Sequence, residues 1–192
     1  STSAHNDRLG SLIFAGNDHI ELKPRRGKSA VLDLIGRTCK HPAWKNAHNI
    51  PASNTGHAMS RLRKVTRPGS LIFLISDFRD LDPQAESHLI NVARHNDVVL
   101  IQVYDPIEVE LPPAGSYKVS DGSNDLQLNT ADKKLRRQYR QRFDQRQARL
   151  AKLCRQHRMY LLPVSTQDDV LSSLQQGLGI PASKHTQFKA QR

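Results

Sequence analysis

The sequence predicts an α/β fold, an open and mostly parallel sheet flanked by helices, and three stretches carry that prediction. Residues 70–78, Ser-Leu-Ile-Phe-Leu-Ile-Ser-Asp-Phe, stay apolar until two polar residues near the carboxyl end, the pattern of a parallel strand buried on both faces. Asp82-Pro83 opens a helix through Leu89, Ile90, Val92 and Ala93. Residues 97–104, Asp-Val-Val-Leu-Ile-Gln-Val-Tyr, make a second buried strand, so the three stretches form a βαβ unit.

The other elements follow from local signals. Residues 9–15 and 19–22 are short β-forming runs around Gly16-Asn17-Asp18, which predicts two strands joined by a tight turn. Pro24 and Gly27 end that pair. Val31, Leu32, Leu34, Ile35 and Cys39 place a helix over 28–40, stopped before Pro42, and the two prolines of 41–53 make that stretch a loop. Asn54 or Thr55 caps a helix through Ala58, Met59, Leu62 and Val65 that closes before Pro68-Gly69. A Pro-rich loop is expected at 106–115, then a hairpin with strands at 117–119 and 126–128 around Asp121-Gly122-Ser123-Asn124. A long basic helix at 131–158, a strand at 159–164 and a helix at 168–178 complete one domain over residues 1–179, and 180–192 reads as a mobile basic tail.

The chain of 192 residues carries 29 Lys plus Arg against 18 Asp plus Glu, a net charge of +11. Its hydrophobic fraction of 37% is enough for a core, although the mean hydropathy of -0.60 lies on the polar side. No stretch reaches the roughly 18 apolar residues of a spanning helix, so a chain that neither crosses a membrane nor carries a secretory signal is expected. Two distant cysteines, Cys39 and Cys154, make no disulfide framework and point to a reducing cytoplasm.

The charge is concentrated. Residues 131–158 hold eleven Lys and Arg opposed only by Asp132 and Asp144, which leaves +2 for the rest of the chain. Leu135, Tyr139, Phe143, Leu150, Leu153 and Cys154 gather on one stripe of that helix, and arginines such as Arg136, Arg137 and Arg140 occupy the remainder. One reading is a surface helix whose Arg stems cover apolar groups while their heads stay wet. The other is a docking strip for an acidic partner, phosphates or nucleic acid. The only two aromatics lie on the stripe expected to be buried, which argues against sequence-specific nucleic-acid reading.

Several familiar chemistries are excluded by spacing. Gly27-Lys28-Ser29 lacks the glycine five residues earlier that a phosphate loop needs, since that place holds Leu22. The pairs Cys39 with His41 and Cys154 with His157 are too few and too far apart in sequence for a zinc signature. Ser76 has no flanking glycines and is no nucleophile elbow. What remains is Ser76-Asp77 at the carboxyl end of a buried strand, where open α/β sheets place ligands, with Thr55 at the start of the preceding helix as a second oxygen donor. Two such oxygens are too few for a dedicated cation site.

These residues resemble a family. Asn6-Asp7-Arg8-Leu9-Gly10 is similar to its "GDRVG" entry, Leu74-Ile75-Ser76-Asp77-Phe78 to its "LISDF" strand, His95-Asn96-Asp97-Val98-Val99 to "RHDVV", and Asp105-Pro106 with Leu111-Pro112 to "DPxE…LP". The family is the MoxR-associated domain of unknown function fifty-eight, whose carboxyl half looks like a von Willebrand factor A domain, a Rossmann-type fold. The resemblance implies a metal-ion-dependent adhesion site in which Mg²⁺ is completed by a partner's carboxylate, with Asp77 as its late aspartate and Thr55 as its threonine. The Asp-x-Ser-x-Ser loop that opens such a site has no counterpart here. A carboxyl-terminal fragment is therefore expected, lacking a central strand between 9–15 and 71–76 and holding Mg²⁺ only in the full-length protein. The implied function is a non-enzymatic module, an adaptor or chaperone-like partner of a MoxR-type AAA ATPase or its client, contacted through Ser76 and through Arg136, Arg137 and Arg140. The alternatives are polyanion or nucleic-acid binding through the basic helix and, third, metal-assisted hydrolysis at Asp77.

Overall fold

The computed structural model describes residues 7–16, 18–45, 55–120 and 124–179. The tail expected at 180–192 and most of the loop at 41–53 lie outside them. The chain divides into two compact units.

The first unit comprises residues 1–70, 79–96 and 118–128. Here β1 (Arg8–Ala15) pairs antiparallel with β2 (Asp18–Arg26). The register shifts between Leu9 and Ser11, so that Lys23 and Pro24 both oppose Gly10. That bulge explains how a strand longer than expected keeps a proline, which has no amide to give to the ladder. Gly27, at φ 83°, turns the chain into α1 (Lys28–Cys39), which packs on the hairpin. A short 3-10 turn, Pro42–Lys45, stands where a loop was expected, and the Trp44 indole donates to the Thr38 carbonyl at 2.6 Å. Helix α2 (Thr55–Val65) packs on α3 (Pro83–Ala93), which buries Ala85, Leu89 and Val92. The Asp82 carboxylate accepts the Ala85 amide at 2.6 Å, the cap that a helix opening on Asp-Pro calls for.

The second unit comprises residues 71–78, 97–117 and 129–192. Its centre is a parallel sheet in the order β3 (Leu71–Ser76), β4 (Asp97–Tyr104), β7 (Tyr160–Ser165). The helices α5 (Lys133–Gln156) and α6 (Val170–Gly177) flank it. Val99, Ile101 and Val164 point to one face and meet Leu174 and Leu178 at the end of α6. Residues of β4 on the other pleat include Tyr104, whose ring meets Phe143 of α5 at 5.4 Å. Gly177 lies so close to the Leu162 side chain that a Cβ there has no room. Beyond β4, the segment expected to be a loop instead contains α4 (Pro106–Val109), and β5 (Ser116–Ser120) pairs with β6 (Asp125–Asn129).

The edge strand β3 and the central strand β4 differ in burial. Val98, Val99, Leu100 and Ile101 of β4 are all buried, as an unbroken apolar run predicts. In β3 only Ile72 and Leu74 are buried, while Leu71, Phe73 and Ile75 are 60%, 46% and 65% exposed. The expectation of burial on both faces therefore fails for β3. Among the described residues it pairs with β4 alone, and β1 pairs with β2 alone, so both keep one open ladder.

Candidate functional site at the carboxyl end of the parallel sheet

All three parallel strands end in turns held by side chains. At the end of β3 the Ser76 hydroxyl accepts the Phe78 amide at 3.2 Å. Phe78 is buried yet stands at φ 52°, a conformation that bulky residues avoid. Between them Asp77 is exposed. Such a corner is strained, and the strain is sustained by burying the ring.

At the end of β4 the Asp105 carboxylate does two things. It caps α4 by accepting the Ile107 amide at 2.9 Å, and it accepts the Thr166 hydroxyl, beyond β7, at 2.9 Å. Glu108 returns a bond to the Asp105 amide at 3.2 Å, which completes a capping box. The Ile107 amide first, and then the Thr166 hydroxyl, hold the Asp105 carboxyl below the ordinary carboxylate range. After β7, Asp168 accepts the Ser165 amide at 3.0 Å and the Ser165 hydroxyl accepts the Gln167 amide at 3.3 Å.

Between these corners lies Gln102, the register partner of Ser76, only 2% exposed and with an Oε1 that has no hydrogen-bond partner among the described residues. From the sequence, Asp105 figures only within a motif, and no role attaches to Gln102, Asp105 or Thr166. Signals exist for the first two, a lone amide inside a continuous apolar run and the Asp-Pro-x-Glu order of a capping box, and none marks Thr166.

The residues expected to hold a metal are placed as follows. Thr55 is the first residue of α2 in the first unit, and Asp77 follows β3 in the second. Among the described residues no group of three His, Cys, Asp or Glu side chains is placed to hold a metal ion.

The basic helix is built as its periodicity predicts. Asp132 caps it by accepting the Lys134 and Leu135 amides at 2.8 and 3.3 Å. Phe143, Leu150, Leu153 and Cys154 are buried. Its arginines divide by role. Arg136 donates to the Pro112 carbonyl at 2.6 Å and to Glu110 at 2.9 Å, and the Tyr139 hydroxyl donates to Ile107, so both tie α5 to the segment around α4. Arg140 pairs with Asp144 at 3.3 Å one turn away, and Arg146 lies 5.7 Å from the Phe143 ring centre and 3.9 Å from Glu108. Arg137 is exposed.

Sheet, helices and capped strand ends define a mixed α/β protein with a three-stranded parallel sheet flanked by helices. The chain belongs to the family described as protein of unknown function DUF58, whose model matches residues 1–149. Among solved structures it is similar to the conserved hypothetical protein BatB from Bacteroides thetaiotaomicron, with a TM-score of 0.52 and 16% identity over 91% of this chain and 78% of that one. It is also similar to an aerotolerance-related membrane protein from Bacteroides fragilis carrying multiple mutations to serine, with a TM-score of 0.51 and 13% identity over 91% of this chain and 80% of that one. At these identities the likeness is one of fold. No curated protein matches.

Proposed function

We propose that this DUF58 chain is a non-enzymatic protein-binding module, a cytoplasmic adaptor or chaperone-like partner of a MoxR-type AAA ATPase, that receives a partner segment along β3 and its Ser76-Asp77 corner. The observation that carries the reading is β3 itself, which among the described residues pairs on one side alone, with the exposed side chains Leu71, Phe73 and Ile75. An open edge with an apolar face is a template for strand addition: main-chain hydrogen bonds supply affinity and alternate side chains supply selectivity. Asp77 stands at the end of that track as an exposed carboxylate. The open parallel sheet supports the same end, since such sheets bind beyond their carboxyl termini, as a von Willebrand factor A-like placement of this chain would have it. In an adhesion site Asp77 and Thr55 would be two of the ligands. The binding proposed here runs through the β3 edge.

The test is capture of a purified MoxR-type ATPase by the chain and by two variants. Phe73→Lys puts a charge on the apolar face of the open edge, and Asp77→Ala removes the corner carboxylate. Loss of capture with Phe73→Lys and weaker capture with Asp77→Ala is the expected result. Equal capture by both variants would sink the proposal, as would a phosphoesterase activity that Asp77→Asn abolishes.

A further inference from the structure

Helix α5 spans 24 residues, about 36 Å at 1.5 Å per residue. One side of it is committed to the fold through Phe143, Leu150, Leu153 and Cys154. The opposite half is exposed and carries Lys133, Lys134, Arg137, Arg142, Lys152 and Arg155. Among the described residues none of these six has an acidic side chain within ion-pair distance, whereas Arg136, Arg140 and Arg146 do.

The angular arrangement distinguishes this from a diffuse positive face. At about 100° per residue, Lys133, Arg137 and Arg155 fall within about 40° of one another and form one flank, in which the exposed Asp144 also lies, paired with Arg140. Arg142 and Arg149 fall within about 20° of each other, and lie roughly 140° around the helix from Lys133–Arg155's flank centre. The crest between the flanks carries Lys134, Gln141, Gln145 and Lys152, all exposed or half-buried polar side chains.

A rod about 10–12 Å across with cations on two flanks and amides on its crest fits a groove about 12 Å wide walled by two rows of phosphates. A planar anionic bilayer engages the crest or one flank, and it gains no anchor here because the outward half offers only Ala148 and Ala151 as apolar residues. A protein interface needs an apolar centre that this face lacks. Single strands need stacking rings, and Tyr139 and Phe143 both belong to the inward side, one bonded to Ile107 and the other buried.

We infer that the outward half of α5 is a sequence-independent binding surface for the paired phosphate backbones of double-helical nucleic acid. Arginine forks on the flanks contact phosphate oxygens, and the crest lysines and glutamines enter the groove. The surface is independent of the β3 edge, and the two proposals stand or fall separately.

The test is anisotropy of a labelled mixed-sequence duplex titrated with the chain between about 50 and 200 mM salt, where counterion release gives a log–log slope of about −0.9 per phosphate contacted. A slope of about −4 or steeper is expected for contacts on both flanks. Arg137→Gln with Arg142→Gln, one from each flank, should weaken binding at least tenfold at low salt and flatten the slope by about 2. The charge-keeping pair Arg137→Lys with Arg142→Lys should retain the slope and control for folding, and Asp77→Ala should bind as the parent does. Absence of duplex binding at 50 mM salt overturns the inference. So does an unchanged slope in the Gln pair, or tighter binding to single strands or to phosphatidylglycerol vesicles than to duplex.

Discussion

The Ser76 hydroxyl accepts the amide proton of Phe78, two residues on, across a corner in which Phe78 holds φ 52°. The bond serves an amide on a buried residue, so Ser76→Ala leaves that donor without a partner, at a cost of about 1 kcal/mol. Ser76→Thr keeps the hydroxyl and should cost less. Urea unfolding reads the difference as a lower midpoint at unchanged slope.

Leu100 and Phe73 occupy neighbouring strands but opposite situations. Leu100 is 0% exposed, and Leu100→Ala should cost about 2–5 kcal/mol. Phe73 is exposed, and Phe73→Thr should change stability by less than about 0.5 kcal/mol. The same change should reduce self-association in sedimentation experiments, because it removes apolar area beside an open ladder.

The two cysteines should react at very different rates. Cys39 is exposed, and Cys154 is buried with its thiol pushed up to about 11 by desolvation. Native alkylation at pH 8 should label Cys39 alone, with Cys154 reacting only after denaturation. Because the folded state holds the Cys154 proton more tightly than the unfolded chain does, its contribution to stability is whole below pH 9 and falls as pH rises to about 11. Cys154→Ala should remove that part of the alkaline decline.

Asp105 works in the opposite direction. Its carboxyl is held low by the Ile107 amide and the Thr166 hydroxyl, so the ionised form stabilises the fold above the ordinary value of 3.8. The advantage of the parent over Asp105→Asn should be full near neutrality and shrink as pH falls below about 4. Thermal melts of the two chains across that range check the sign.

Adjacent arginines should separate stability from binding. Arg136 is bonded to Pro112 and Glu110, and Arg136→Gln should cost about 1–2 kcal/mol. Arg137→Gln should leave the melting temperature unchanged and weaken duplex binding.

The βαβ order and the long helix were legible because their patterns are long and uniform: the apolar runs Leu71–Ile75 in β3 and Val98–Ile101 in β4, and a stripe from Leu135 to Cys154. The uniformity also misled. Sequence cannot distinguish a strand covered on both faces from one that is apolar on both, so the exposure of Leu71, Phe73 and Ile75 came only with coordinates. Helix α4 was missed because prolines at 106, 112 and 113 were read as loop, although Pro106 sits at the first helical position, where a proline is welcome. The place of Ser76 and Asp77 at a strand end followed from the apolar run before them. The roles of Gln102 and Thr166 did not follow, because they depend on register and on partners distant in the chain.

The unfinished side of β3 makes behaviour in dilute and concentrated solution two different experiments. A strand with donors and acceptors in waiting will be completed by whatever polypeptide reaches it first. During refolding at high protein concentration the first arrival is another copy of the chain, so soluble yield should depend on dilution and recover when a short complementary peptide is supplied in excess.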